Sequence, residues 1–269
     1  MSFLGPVRVI IPFAGNCPHR LKALEYVTAW WKSIVTEDDE VVVSRLEDGQ
    51  PWNKARAVGQ ALPANFHGTV VVADADSISE GVTDALAAVE EGAAWAMPHD
   101  KVLRLTEAAT AQMYGHDLGV VPDDPPTIER PYRGVFGGGI MVLASYVYRD
   151  VPLDPRFEGW GQHDMSWGAA LRAKYPRYKR FDADLIHLWH PLPQRDSRTW
   201  GSAEKARLFR RYWGAVNNYK KGNTALLESY LESGRALLED SENPPAPSSP
   251  LLESSSSLQE SSNPLQETS

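Results

Sequence analysis

Three β-branched runs, Val7–Phe13, Glu40–Ser44 and Thr69–Ala73, are separated by two stretches with helical spacing. That alternation constrains the fold more than any other feature of the chain. Runs so apolar suit strands covered on both faces, and strands joined through helices lie parallel. The expectation is an α/β domain, a mostly parallel, Rossmann-like sheet flanked by helices. In such sheets ligands gather at the carboxyl ends of the strands. The Phe13–Gly15 turn and the Asp74–Asp76 turn both fall there, so one cleft could hold both.

The spacing predicts helices over Pro18–Lys32, with Leu21, Leu24, Val27 and Trp31 inward, and over Trp52–Leu62. Ser79 is expected to cap a helix running to Glu91, with Glu80 and Asp84 near its positive end. Ala93–Met97 reads as a further strand. Residues 98–133 read as irregular, with a short helical pattern at Leu105–Met113. Gly137–Leu143 reads as a glycine turn entering a strand. Further expectations are a helix at His163–Lys174, a strand at Ala183–Leu188, and helices at Ser202–Val216 and Thr224–Leu238.

Charge bears on partners. The chain carries 35 acids against 27 bases, but six of the acids (Glu239, Asp240, Glu242, Glu253, Glu260 and Glu267) fall in a carboxyl-terminal stretch without Lys or Arg. The body, with 29 acids against 27 bases, has no global field to draw it onto nucleic acid or an anionic membrane. Arg172–Arg180 is the one basic stretch; a solvated helix end is its simplest reading. After Asp240 the composition turns to Ser, Pro, Glu and Gln, which predicts a disordered tail over 241–269 following a domain at 1–240. Cys17 is the single cysteine, so no intrachain disulfide forms. No run approaches the about 20 apolar residues that span a bilayer, and a soluble, cytoplasmic protein is the expectation.

Asp74 and Asp76, at i and i+2 past a strand end, are expected to point the same way and to hold a divalent cation such as Mg²⁺ or Mn²⁺. Gly159–Asp164 opens a helix with an aromatic plate, glycines and a carboxylate. Ile186–Pro191 places two imidazoles, His187 and His190, at a strand end. In that order stand Ile10-Ile-Pro-Phe13 with Arg20, Trp52-Asn53-Lys-Ala-Arg56, Ala73-Asp-Ala-Asp76, Phe136-Gly-Gly-Gly139 and Phe157-Glu-Gly-Trp-Gly-Gln-His-Asp164.

This ordered set, spanning residues 7–191, resembles the GT-A-fold glycosyltransferases, especially the β-1,4-galactosyltransferase-like and chondroitin-polymerase-like groups. The resemblance implies metal-dependent sugar transfer from a nucleotide-diphosphate sugar, with a UDP-sugar as the expected donor. Pro12, Phe13, Arg20, Asn53 and Arg56 would then border the nucleotide. Asp74 would lie by the ribose and metal, and Asp76 would ligate the Mn²⁺ or Mg²⁺. His187 would be the later metal ligand, with His190 the alternative. Gly138 and Gly139 would let the backbone approach the donor sugar. Trp160 would stack on sugar, with His163 beside it on the acceptor side. Asp164 would be the general base of an inverting transfer. The sequence departs from the galactosyltransferase pattern at Gln162 and His163, where a Gly and an acid are usual. The acceptor stays open among a glycan, a protein, a lipid-linked phosphate and modified DNA. The competing readings are a nucleotidyltransferase, which needs a more glycine-rich and basic first loop, and a non-catalytic carbohydrate-binding or partner-binding protein.

Overall fold

A computed structural model describes residues 5–47, 50–159, 161–191 and 203–242. In chain order these form β1 (Val7–Phe13), α1 (Pro18–Ile34), β2 (Glu40–Arg45), α2 (Lys54–Ala61), β3 (Thr69–Ala73), β4 (Ser77–Ser79) and α3 (Val82–Glu90). Then follow β5 (Trp95–Met97), β6 (Lys101–Arg104), α4 (Glu107–Gly115), β7 (Tyr132–Arg133), β8 (Ile140–Ala144) and α5 (Ser145–Asp150). The last elements are α6 (His163–Lys174), β9 (Lys179–Arg180), β10 (Asp184–His187), α7 (Ala203–Lys220) and α8 (Ala225–Glu242).

The main sheet runs β2-β1-β3-β8-β5-β9. It is parallel throughout except at β8, which lies antiparallel between β3 and β5. Every residue of β3 and β8 is buried, as expected where helices cover both faces. A second sheet, β4-β10-β6-β7, sits at its edge. It builds order into residues 98–133, where the sequence shows only a short helical pattern. β6 and β7 are too short and too polar to register as apolar runs.

Two local expectations are corrected. The buried stripe of α1 is Ala23, Leu24, Val27, Trp30 and Trp31, while Leu21 stays exposed. Ser79 caps no helix. It belongs to β4, pairs across to Leu185 of β10 and donates its hydroxyl to the Pro98 carbonyl at 3.1 Å. Gly81 takes the N-cap of α3 instead, and a Cβ there would lie 2.1 Å from the Pro98 carbonyl oxygen. Only glycine fits so close an approach.

Of the basic stretch, Arg172 and Arg180 stack over the Phe136 ring, at 4.4 and 4.7 Å. Lys174 pairs with Asp150 and Glu228. These cations hold the fold together rather than standing free for a polyanion. α8 continues to Glu242, and the rest of the expected tail lies outside the described residues. Among the described residues no helix is long and apolar enough to cross a membrane.

His99 is buried between the two sheets, and its Nδ1 has no hydrogen-bond partner among the described residues. Burial first, then the Arg180 charge, lower its pKa to about 3. The folded pKa lies below the unfolded one, so stability is complete above about pH 6.5 and falls as the medium acidifies below it. From pH 7 to pH 5 this residue should cost about 2 kcal/mol. Denaturant unfolding of wild type and His99→Gln at both pH values checks this. An equal pH dependence in the two proteins would show that His99 contributes none of it.

Candidate active site

β1 and β3 pair in parallel register, Val7 with Thr69 through Ile10 with Val72, so they end on the same edge of the sheet. The loops that follow, at Ala14–Cys17 and Asp74–Asp76, therefore line one cavity of about 610 Å³. Pro12, Arg20, Trp52, Lys54, Arg104, Gly161, His163, Asp164, His187 and His190 complete most of its wall. Two clusters of charge organise it.

The first is built on Asp76. The chain turns immediately after β3, and Asp76 is only 6% exposed. The pairing of β4 with β10 sets His187 opposite Ser77, and the Leu188 amide donates to the Asp76 carbonyl at 2.8 Å. Strand register thus fixes His187 beside Asp76, with Nε2 3.7 Å from Oδ1. His190 reaches the same carboxylate, with Nε2 3.3 Å from Oδ2. Its Nδ1 lies 3.0 Å from the Pro191 carbonyl, which accepts and so orients the ring.

One ligand atom from each of Asp76, His187 and His190 falls within 4.8 Å of the others. A carboxylate with two imidazoles is a donor set that can hold a divalent metal ion. Burial alone would raise the Asp76 carboxyl, but His187, the hydrogen bond from His190 and the Arg20 charge hold it well below the usual carboxylate range. Arg20 lies 3.8 Å from Asp76, donates to the Ala14 carbonyl at 3.0 Å and packs over Phe13. Both imidazoles that the sequence offers as alternatives therefore meet the same acid. Asp74, expected to share the ion, is not one of these three, and its oxygens meet Lys54 and the Gly139 amide.

The second cluster is centred on Lys54. Its ammonium donates to Asp74 Oδ1 at 2.8 Å and to Asp164 Oδ1 at 3.0 Å. The other Asp74 oxygen accepts from the Gly139 amide at 3.2 Å. Burial disfavours the Lys54 charge, but the two carboxylates more than offset it and its pKa rises. Burial would likewise raise Asp164, and His163 and Lys54 outweigh it and lower it. Burial holds His163 itself below the ordinary histidine value, so at neutral pH Lys54 is the cation that keeps Asp164 ionised. Lys54 was missed at the sequence level although a signal existed. A lysine in the first turn of a helix opposes the macrodipole and needs acids nearby.

Asp164 opens α6, and backbone contact fixes where it opens. A Cβ on Gly137 would lie 2.1 Å from the Asp164 carbonyl oxygen, and one on Gly168 would lie 2.2 Å from that of Phe136. The glycine turn and the helix therefore interlock main chain to main chain. Gln162, at the helix N-cap, takes a left-handed φ of 67°, a strained conformation of the kind found at functional loops.

The remaining predicted residues sit elsewhere. Phe13 is buried, sandwiched between Arg20 and Arg45, and borders a second cavity of about 390 Å³ that shares Ala14, Gly15, Asn16 and Trp52 with the first. Asn53 is fully buried and structural. It accepts from the Arg56 amide at 3.1 Å to cap α2 and donates to the Pro155 carbonyl at 2.7 Å. Arg56, Gly138 and Gly139 do not line the main cavity. Trp160 lies outside the described residues.

Lys54→Met should lower stability by about 1–3 kcal/mol. It leaves two carboxylates facing each other across an apolar stem, although their partial exposure lets water soften the loss. The pKa of Asp164 should rise, since the cation that favours its ionised form is gone. Denaturant midpoints test the first statement. The second predicts an acid limb of any activity displaced to higher pH, and an unmoved limb would refute the assigned coupling.

No protein-family model matches the chain, and no curated protein sequence matches it. Solved structures do. The catalytic domain of Drosophila beta-1,4-galactosyltransferase 7 in complex with xylobiose aligns at TM-score 0.50 and 14% identity, over 78% of this chain and 81% of that one. A mutant of that enzyme in complex with manganese, UDP-Gal and xylobiose aligns at 0.48 and 12%, over 77% and 80%. A mycobacterial protein aligns at 0.45 and 13%, over 81% and 75%. The fold is that of the GT-A glycosyltransferases.

Proposed function

We propose that this GT-A fold transfers a sugar from a nucleotide-diphosphate sugar to an acceptor hydroxyl, with inversion at the anomeric carbon. The observation that carries the reading is the sharing of one cavity by a buried Asp76–His187–His190 group and a lysine-tethered Asp164 at a helix start. The alignment with a galactosyltransferase catalytic domain supports a UDP-sugar as the first donor to test.

Asp76, His187 and His190 would hold the Mn²⁺ or Mg²⁺, which when bound supplies positive charge to the departing diphosphate. Arg20, at the same wall, adds a fixed cation on the diphosphate side. Phe13 and the smaller cavity between Arg45 and Trp52 would take the nucleoside end. Asp164, ionised at neutral pH, accepts the proton of the acceptor hydroxyl as its oxygen attacks. Lys54 keeps that carboxylate charged and aimed, and through Asp74 it ties the base to the end of β3. His163 takes the place of the acid usual in the galactosyltransferase-like group. It is only 7% exposed and lies 3.4 Å from Asp164, where it would contact the acceptor sugar rather than the donor.

The test is a donor panel: the full chain with Mn²⁺ or Mg²⁺ and common UDP- and GDP-sugars, read as released nucleoside diphosphate, beside calorimetric binding of UDP with metal. Metal-dependent release from one donor is expected. Nucleotide binding without release under any acceptor would favour a binding protein on the same fold. Absence of both would overturn the reading.

A further inference from the structure

We infer that the acceptors of this transferase include the hydroxyls of its own carboxyl-terminal segment, so that the chain glycosylates itself between Ser248 and Ser269. The inference rests on the transferase reading above and names its acceptor class.

Residues 243–269 contain nine Ser, one Thr and five Pro, with no aromatic residue and no Lys or Arg. Hydroxyl side chains interspersed with proline are the composition of segments that carry O-linked sugars. The segment is also periodic. Pro250-Leu-Leu-Glu-Ser-Ser255, Ser257-Leu-Gln-Glu-Ser-Ser262 and Pro264-Leu-Gln-Glu-Thr-Ser269 repeat one unit with a spacing of seven residues. Each unit presents a pair of hydroxyls directly after a Leu-x-Glu. A site with one acceptor geometry would meet the same local context three times.

The helix that precedes this segment packs against elements that line the cavity. α8, from which it continues, runs past the 154–159 loop and onto α2. Arg156 donates to the Tyr230 carbonyl at 2.8 Å, and a Cβ on Gly59 would touch Leu238 at 3.5 Å. The same loop is bound to the cavity wall, since the Gly159 amide donates to the Trp52 carbonyl at 2.6 Å. Lys54, five residues before Gly59 on α2, lines the cavity. Along that path the end of α8 is within about 20 Å of Lys54 at 1.5 Å of rise per helical residue. Ser248 is six residues beyond Glu242, a reach of up to about 20 Å, and the first repeat lies within about 40 Å at full extension. The contour length of the segment therefore covers the path from Glu242 to Lys54, the residue that holds Asp164.

The step balances without a further reactant. The Ser or Thr oxygen attacks the anomeric carbon of the nucleotide-diphosphate sugar and forms the new C–O bond. The anomeric carbon–phosphate oxygen bond breaks, and the nucleoside diphosphate leaves with the electron pair. The hydroxyl proton passes to Asp164 and then to solvent.

The experiment takes the full chain, shown by intact mass to be unmodified polypeptide, and incubates it with Mn²⁺ and each UDP- or GDP-sugar. Intact mass and peptide mapping are read beside nucleoside diphosphate release, with Asp164→Asn in parallel. Expected are whole-sugar mass increments mapped to 248–269 in wild type and none in Asp164→Asn. Nucleoside diphosphate release with no added sugar, or with sugar mapped elsewhere, overturns the self-acceptor inference and leaves the transferase reading standing. Absence of release together with absence of metal-dependent UDP binding overturns both. A wild-type chain that gains sugar on 248–269 equally in the Asp164→Asn variant would overturn the assignment of the step to this site.

Discussion

Asp164→Asn should lower the rate of sugar transfer by about 10³-fold while leaving metal-dependent nucleotide binding within about twofold. The amide matches the carboxylate in shape and can still accept from Lys54, which lies 3.0 Å away, so the helix start should stay in place. What it loses is the ability to take a proton. The metal group is carried by other elements, Asp76 after β3, His187 at the end of β10 and His190 beyond it, and does not include Asp164. Single-turnover transfer and calorimetry together separate the two effects. A fall of less than tenfold would mean that another group accepts the proton, and an equal loss of nucleotide affinity would mean that Asp164 supports the donor instead.

Asp76→Ala should abolish metal-dependent nucleotide binding, with any residual turnover down by three orders of magnitude or more, roughly the scale of a lost charge-stabilising group. Asp76 is the one member of the group that touches both imidazoles and lies beside Arg20. Its removal leaves two neutral rings and a guanidinium, which do not attract a cation. His187→Ala and His190→Ala each leave a carboxylate and one imidazole, so each should weaken the metal by about tenfold or more without eliminating it. Titration of Mn²⁺ into the three variants, followed by UDP, gives the ranking. If Asp76→Ala binds metal as wild type does, the Asp76 group is an ionic contact of the fold and not a metal site.

These two expectations draw on residues that line one cavity, and Lys54 lines it with them. It contacts Asp74 at the end of β3 and Asp164 at the start of α6. Two acids so close to one another would repel if both were ionised and unpaired. The buried ammonium makes their coexistence possible.

Much of this was determined by the sequence alone. The β-branched runs and their helical spacers specify a parallel-rich sheet, because burial of apolar faces at periods of 2 and 3.6 residues is a local property. The strand ends carrying Asp74–Asp76 and His187 follow from the same reading, whereas a shared site for the acids and imidazoles came from the family resemblance. Tertiary structure alone decided which of those side chains meet. Asp74 meets Lys54, while the pairing of β4 with β10, through strands too short to announce themselves, brings both His187 and His190 to Asp76. Asn53 is turned to capping and Lys54 to bridging because α2 begins two residues later than its apolar pattern suggests. Periodicity records which face of an element is buried. Contacts between residues 54, 74 and 164 depend on where separate elements begin and how closely their backbones approach, and glycine packing at 137 and 168 sets that only in the assembled fold.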